Sequence, residues 1–196
     1  MSMTKSVVEY LKTRRSVPLT MMGGPGPDRD QLREMLDIAS RTPDHGRLEP
    51  WRFIVYREAA GRAIGEKLAV RAQEMNGPMA EDQIERERNR LLRAPVAIGV
   101  VAVTREHETI PAWEQFLCAG AVAMNLVHAA NALGFCANWV TGWYSDDERG
   151  RAILGLAPDE RMAGIVHIGS CDRDIPDRPR PDVDALTSDY SGEYEG

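Results

Sequence analysis

Four apolar runs along the chain have the length of β-strands. The strongest covers residues 96–103 and is continuous, which is typical of a strand buried on both faces. Shorter runs at residues 51–56, 135–140 and 162–169 predict three more strands. Helical patterns separate these runs, so the sequence predicts an α+β domain. A doubly wound parallel sheet is the competing interpretation, but no G-x-G-x-x-G motif follows a strand.

Local start and stop signals mark the first two helices. Ser6 and Glu9 have the spacing of a capping box, which predicts a helix that ends near Thr13. We expect Asp28 to cap the next helix and Pro43 to end it, because proline disfavours helical geometry in the residue before it. The apolar face of this second helix comprises Leu32, Met35, Leu36 and Ala39.

Three further helices are shorter or more polar than the one that dominates the chain. Residues 59–75 predict a helix that Asn-Gly-Pro breaks. Residues 81–93 predict a highly charged helix, which we expect to form a solvated face or a lid over a site. Ser145 to Glu148 are expected to cap a short helix that ends near Gly155.

The long apolar segment from Pro111 to Leu133 predicts the main helix of the core. Proline is common at the first position of a helix, and Gly134 is a natural stop signal. Most sides of this helix are apolar, whereas a surface helix shows only an apolar stripe. It is therefore either central to the domain or packed against a partner subunit.

Length and composition predict one globular domain. The chain has 196 residues, of which 43% are hydrophobic, so it can bury a sizeable core. We expect a single domain over residues 1–196. Residues 174–196 form a tail rich in Pro and Asp with too little apolar content for a core of its own. This tail is expected either to be disordered or to wrap another surface, such as a partner subunit.

Charge and cysteine usage exclude several classes of function. A formal net charge of −6 provides no general basic field for nucleic acid, so any bound anion needs a local arginine cluster. No apolar run approaches the roughly 20 residues of a membrane span, and the first residues lack the apolar core of a secretory signal. We therefore expect a cytoplasmic protein. Three cysteines without C-x-x-C spacing and scattered histidines predict neither a disulfide framework nor a metal site.

Arg14-Arg15-Ser16 is the first candidate binding cluster. It follows the end of the first predicted helix and joins two guanidinium groups to a hydroxyl. Guanidinium groups hold phosphate through paired hydrogen bonds, so the tripeptide suits a phosphate. Taken alone, it also fits basic residues that the helix macrodipole favours at a C-terminus.

The second cluster is the loop at residues 41–51, with the sequence Arg-Thr-Pro-Asp-His-Gly-Arg-Leu-Glu-Pro-Trp. Polar loops that precede a buried strand often carry function, although Trp51 also fits a simple core anchor. Asp44, His45 and Ser16 have the residue types of a hydrolase triad, but the chain has no nucleophile elbow.

The third cluster, residues 134–142, directly follows the long helix and contains Trp139 among small residues. Such a segment can lie against a flat ring, and it also fits an ordinary core strand.

Taken in order, these segments resemble the nitroreductase family, and most closely its short bacterial YdjA-like branch. The resemblance covers roughly residues 5–170; each motif is weak alone, whereas the ordered set is specific. The matching elements are Arg14-Arg15-Ser16, Arg41-Thr-Pro-Asp-His45 with Pro50-Trp51, Arg93-Ala-Pro95, Pro111-Ala-Trp113-Glu114-Gln115 with Ala119-Gly120, and Gly134-Phe with Trp139.

The resemblance implies an α+β sandwich with a mostly antiparallel central sheet, flanked by helices. It implies a homodimer with two shared active sites, whose interface contains the long helix. FMN is the implied cofactor, and it would pass hydride from NADH or NADPH through flavin N5 to an electron-poor small molecule of the nitroaromatic, quinone or enone type. A flavin-dependent dehydrogenase or dehalogenase on the same fold, and a non-catalytic FMN-binding module, stay open as alternatives.

The implied FMN contacts begin with the first two clusters. Arg14 and Ser16 match positions that hold the phosphate and ribityl chain, and Arg15 matches a position near the pyrimidine side of the flavin. Arg41 and His45 match further contacts, either within the subunit or across the dimer. The resemblance names no certain catalytic residue. Arg15 is the first choice for stabilising negative charge on the reduced flavin, with His45 or Arg41 second.

The third cluster supplies the implied wall of the flavin ring. Trp139, Val140 and Thr141 match the segment that lines it. The YdjA-like pattern commonly has Arg-Ser where this chain has Val140-Thr141, so one cationic contact is missing. Trp113 and Phe116 are expected to shape the substrate pocket from the partner helix.

The tail adds two arginines, Arg178 and Arg180, and the sequence leaves open whether either contacts the phosphate.

Overall fold

The computed structural model describes residues 6–190 and residue 192, and it divides the chain into two compact units. One unit takes residues 1–15 and 174–196, and the other takes residues 16–173. The first unit contains helix α1 (Val7–Thr13), which Ser6 caps by accepting a hydrogen bond from the Glu9 backbone N–H at 3.2 Å. This confirms the predicted start of the first helix. That the chain forms one domain stays a prediction, and part of its tail lies outside the described residues.

The second unit is built around a four-stranded antiparallel sheet. Its strands are β1 (Trp51–Tyr56), β2 (Val96–Ala102), β3 (Cys136–Val140) and β4 (Arg161–Gly169), in the spatial order β1-β2-β4-β3. Each neighbouring pair is antiparallel. The four predicted strands and the α+β class are confirmed, and the competing parallel sheet is wrong.

Five helices accompany the sheet in this unit: α2 (Arg29–Ala39), α3 (Glu58–Asn76), α4 (Glu81–Arg88), α5 (Ala112–Ala132) and α6 (Glu148–Ile153). Helices α2 and α5 cover one face of the sheet, and their apolar residues form one core cluster with β2, β3 and β4. Residues of α3 and of the segment around α6 form a second cluster on the opposite face. Every residue of β2 is buried, because the strand is central and covered on both sides.

Side-chain caps explain where two of these helices begin. Asp28 accepts hydrogen bonds from the backbone of Asp30 and Gln31, and the Gln31 side chain returns one to the Asp28 backbone. This complete capping box confirms the predicted start of α2. Helix α6 is capped by Asp147, whose carboxylate accepts from the Gly150 N–H at 2.8 Å, rather than by Ser145, which lies in a preceding 3₁₀ turn.

Three predicted helix boundaries are wrong in detail. Helix α2 ends at Ala39, before Pro43 can act, and Ser40 is its C-cap. Pro111 is the N-cap of α5, with extended backbone angles, rather than its first helical residue. The charged segment is helical only to Arg88, where Asn89 ends α4.

A β-bulge in β4 makes room for a tryptophan on the neighbouring strand. The register of β2 against β4 shifts between Val100 and Val101, so Ala163 has no partner in the ladder. The Trp139 Nε1–H donates to the Ala163 carbonyl at 3.2 Å. A Cβ atom on Gly164 would lie 1.7 Å from Trp139 Nε1, so only glycine lets the indole cross the strand here.

Within residues 6–190, no helix combines the length and apolar content that a membrane span requires.

We predict that Gly164→Ala destabilises the fold by about 1–3 kcal/mol, because the added methyl group must push the Trp139 indole off the bulge. Urea unfolding measures the loss. Gly23→Ala is the matched control, since a Cβ atom there meets nothing within 4 Å. An unfolding free energy of Gly164→Ala equal to that of the wild type would contradict this account of the bulge.

Candidate active site

The loop at residues 41–49 has a fixed shape. The Asp44 carboxylate accepts hydrogen bonds from the backbone N–H groups of Leu48 and Glu49, at 3.2 and 2.8 Å. Gly46 adopts φ +69°, a left-handed conformation that glycine tolerates without steric cost. These local features turn the chain before it enters β1.

Hydrogen bonds to three residues of α5, namely Glu114, Cys118 and Asn125, tie this loop to the helix. His45 Nδ1 lies 2.7 Å from Glu114 Oε1. The Asn125 amide donates to Thr42 Oγ1 at 2.8 Å and to the Arg41 carbonyl at 3.3 Å. Even so, the His45 side chain remains 61% exposed, and Arg41 is also exposed. The loop thus presents both predicted cofactor contacts to solvent from a backbone that α5 holds in place.

A pocket of about 220 Å³ lies between the loop and α5, and His45, Glu114 and Cys118 line it. It is smaller than the roughly 300–1,000 Å³ typical of pockets that enclose a ligand. Burial raises the pKa of the Cys118 thiol to about 11, and the nearby Asp44 charge adds to the shift. The thiol instead bonds the Pro43 carbonyl at 3.2 Å. A protonated thiol is a poor nucleophile, so the pocket does not suit cysteine-based catalysis.

The predicted flavin wall lies on the edge strand β3. Trp139 is partly exposed and is held by the bulge of β4. Its indole also approaches α5, because a Cβ atom on Gly120 would lie 4.0 Å from it. Val140 is half-buried and Thr141 is exposed. The segment therefore presents part of the Trp139 indole beside the N-terminal half of α5.

Ser16 lies at the open edge of the same strand. The adjoining Val17 donates its N–H to the Ala137 carbonyl at 3.3 Å, and its carbonyl accepts from the Asn138 amide at 2.7 Å. These bonds fix the backbone next to Ser16, whose side chain is exposed. These bonds place Ser16 next to the β3 segment that contains Trp139.

Arg14 and Arg15 belong to the first unit, where they contact the tail. Arg15 donates to the Pro176 carbonyl and lies 3.6 Å from an Asp177 carboxylate oxygen. Arg180 binds the same carboxylate at 2.6 Å and donates to the Arg14 carbonyl at 3.5 Å. The backbone N–H of the next residue, followed by Arg180, holds the pKa of Asp177 below its usual value. The unit therefore brings two arginine side chains, those of Arg15 and Arg180, to one acidic group.

The predicted substrate residues form an apolar stripe on α5. Trp113 is 65% exposed, and both Phe116 and Leu117 are exposed as well. They lie three and four positions apart, so they share one face of the helix. Large apolar side chains clustered on a surface mark an interaction site. Helix α5 is apolar on most sides because one side packs against the sheet and the opposite side carries this exposed stripe.

The sequence patterns did not predict one buried polar cluster, which consists of Glu87, Arg90, Trp143 and Tyr144. Glu87 of α4 is buried and accepts hydrogen bonds from Trp143 Nε1 at 3.0 Å and from Arg90 at 2.9 Å. Burial raises the pKa of Glu87, but these bonds outweigh it and leave the pKa low. Arg90 also lies over the Tyr144 ring. The charged segment was predicted to be a solvated face or a lid; most of α4 is exposed, but Glu87 is buried. The spacing of the charges gave no signal of this burial.

His167 of β4 is fully buried, and neither ring nitrogen has a hydrogen-bond partner among the described residues. Burial, together with the nearby Arg93 charge, lowers its pKa to about 4, so the ring is neutral at pH 7. Among the described residues, no group of three or more His, Cys, Asp or Glu side chains is arranged to bind a metal ion.

Glu114 is the candidate site residue that sequence reasoning left without a role. It appears in the Pro111–Gln115 motif, but only the structure shows that it contacts His45, which lies 69 positions earlier in the chain. A contact between residues so far apart in sequence forms only when α5 packs against the loop. The only sequence signal for Glu114 was therefore its position in the Pro111–Gln115 motif.

Comparisons with known proteins identify the family of the chain. The model of the nitroreductase family matches residues 11–170. The Escherichia coli K12 protein named "Putative NAD(P)H nitroreductase YdjA" is 33% identical over 168 residues, which cover 83% of this chain and 87% of the relative.

Two solved structures share the fold. A nitroreductase-like family protein from Bacillus cereus has a TM-score of 0.80 at 23% identity, covering 98% of this chain and 100% of its own. A nitroreductase with bound FMN from Bacteroides fragilis has a TM-score of 0.71 at 20% identity, covering 95% and 100%. Since the family match spans most of the sheet, the 41–49 loop, α5 and the Trp139 segment, the chain belongs to the nitroreductase family.

Proposed function

We propose that the chain is an FMN-dependent oxidoreductase that passes hydride from NADH or NADPH to an electron-poor small molecule. The observation that carries this proposal is the family match over residues 11–170. YdjA, the relative at 33% identity, is named for NAD(P)H nitroreductase activity, and the B. fragilis protein of the same fold binds FMN. Because of these similarities, we propose both NAD(P)H-dependent reduction and FMN binding for this chain.

The chemistry of the candidate residues fits a flavin nucleotide. Arg15 already binds oxygen atoms of Pro176 and Asp177, so its donors are oriented toward oxygen acceptors like those of a phosphate or a pyrimidine ring. His45 and Trp139 direct an imidazole and an indole outward rather than into their own core. We assign the phosphate and ribityl chain to Arg14 and Ser16, and the pyrimidine side to Arg15.

The remaining assignments concern the ring. Arg41 and His45 supply polar contacts, and Trp139, Val140 and Thr141 supply the wall of the flavin plane. When bound, FMN would supply the hydride-transfer chemistry. Arg15 and His45 would place positive charge or hydrogen-bond donors beside the pyrimidine side of the ring. The apolar wall around Trp139 excludes water from one edge of the site.

The exposed stripe on α5 supports a homodimer with shared active sites. Trp113, Phe116 and Leu117 are apolar, and a second copy of the chain would remove them from water. From such an interface, Trp113 and Phe116 would present aromatic rings to a substrate. Flat, electron-poor acceptors such as nitroaromatics, quinones or enones stack well on aromatic faces, and we propose one of these classes as the substrate.

Purified protein should be yellow, with a flavin absorption spectrum that bleaches on anaerobic addition of NADH or NADPH. Subsequent addition of a nitroaromatic, a quinone or an enone should restore the oxidised spectrum at rates that rank the acceptors. Sedimentation of the same sample should give the mass of a dimer. A protein that stays colourless after addition of FMN would rule out the proposal. One that is coloured but not bleached by either nicotinamide would favour a non-catalytic FMN-binding module.

Arg14→Ala should weaken FMN binding by about 1.5–3 kcal/mol, the usual contribution of a charge-assisted hydrogen bond. Flavin fluorescence titration measures the change. Arg33→Ala is the matched control, because it removes the same charge from an exposed arginine that pairs with Asp37 on α2. Equal FMN affinity in Arg14→Ala and Arg33→Ala would refute the phosphate assignment.

A double-mutant cycle tests the role of Glu114. His45→Ala and Glu114→Ala should each weaken FMN binding by about 0.5–1.5 kcal/mol, since one removes the contact and the other removes the group that orients it. The double variant should lose no more than His45→Ala alone, because both changes disable one interaction. Glu114→Gln keeps a hydrogen-bond acceptor and should retain most of the affinity. Additive losses would show that Glu114 acts independently of His45.

A further inference from the structure

Two of the three cysteines meet where β3 begins and β4 ends. Cys136 pairs with Gly169 in the antiparallel ladder, and Cys171 lies two residues beyond that partner. Residues 169 and 171 lie on the same side of an extended chain, and Cys171 is close enough to contribute to the raised pKa of the Cys136 thiol. Both cysteines are partly buried and reduced. The third, Cys118, lies on α5 and bonds the Pro43 carbonyl instead.

The surroundings of Cys171 allow it to move toward its neighbour. The last bridge of this region joins Gly23 to Ser170, so Cys171 follows the final residue fixed by strand pairing. Its thiol donates a long hydrogen bond of 3.6 Å to the Arg173 carbonyl. A disulfide needs a Cα separation of about 4.4–6.8 Å, and a residue just outside the ladder can adjust to it more freely than one within a strand.

We propose that Cys136 and Cys171 are a reversible thiol–disulfide pair that exchanges with small-molecule disulfides of the glutathione type. One thiolate attacks a sulfur of the small disulfide, breaks its S–S bond and releases one small thiolate. The second cysteine then attacks the mixed disulfide, forms the Cys136–Cys171 bond and releases the other small thiolate. The two protons lost by the cysteines pass to the released thiolates, and two electrons reduce the small disulfide.

The pair lies beside a backbone contact that fixes the segment around Ser16. Ala137 and Asn138, which directly follow Cys136, bond both backbone groups of Val17. A cross-link at Cys136 would therefore form next to this junction. Burial raises the pKa of the Cys136 thiol, and the neighbouring Cys171 adds to the shift, so attack by Cys136 accelerates as the pH rises. The proposal is independent of the proposed function.

Alkylation and mass spectrometry of the full-length wild-type protein test it directly. The reduced protein is incubated with glutathione disulfide, quenched with acid, denatured and treated with N-ethylmaleimide. We expect a species about 2 Da lighter before alkylation that takes one N-ethylmaleimide, on Cys118, with a peptide linking Cys136 to Cys171. Dithiothreitol should restore three alkylated cysteines.

Three serine variants sharpen the result. Cys118→Ser is the matched control and should form the same disulfide as the wild type. Cys136→Ser and Cys171→Ser should each stop at a glutathione adduct on the remaining cysteine of the pair. The proposal is overturned if the treated wild type still takes three N-ethylmaleimide groups, if it keeps a stable glutathione adduct on Cys136 or Cys171, or if its disulfide includes Cys118. The wild-type measurement decides the question even if a variant fails to fold.

Discussion

Burial of β2 on both faces is the constraint on which the rest of the second unit depends. A strand with no solvated side must be covered twice, and α5 with α2 and the α3–α6 side supply the two covers. Covering one face with α5 places the N-terminal half of that helix beside the 41–49 loop and the end of β3. The candidate site is assembled from these elements, so its geometry is a consequence of how the sheet is buried.

The same constraint explains why the strands and the main helix could be predicted from the sequence. The continuous apolar run of β2 and the apolar length of α5 are strong signals, because each reports burial directly. Helix ends were less predictable. Proline was expected to end α2 at Pro43, but the helix ends earlier, with Ser40 as its C-cap. Pro111 does lie at the start of α5, as its N-cap rather than as its first helical residue. Strand direction was also open from periodicity alone, since a run buried on both faces fits a parallel or an antiparallel sheet.

The candidate site was only partly accessible to the same reasoning. Local signals identified Arg14-Arg15-Ser16, the His45 loop and the Trp139 segment, because each combines residue types with a distinct chemistry. Partnerships across the chain were not accessible. Glu114 meets His45, and Glu87 meets Trp143, only after helices have packed. Nor did the sequence indicate that Gly164 and the β4 bulge hold the Trp139 indole, since an isolated glycine in a strand has several explanations.

The tail brings two arginine side chains of the first unit to one carboxylate, that of Asp177. Arg180 binds Asp177, and Asp177 also lies beside Arg15, so the arginines of the first unit share one carboxylate. This carboxylate is exposed, and water weakens an exposed ion pair. A phosphate carries about −1.5 to −2 charges and three acceptor oxygens, so it can satisfy more guanidinium donors than a carboxylate does. Asp177 therefore keeps the side chains of Arg15 and Arg180 close together, and under the proposed function a phosphate would be the stronger competitor for both.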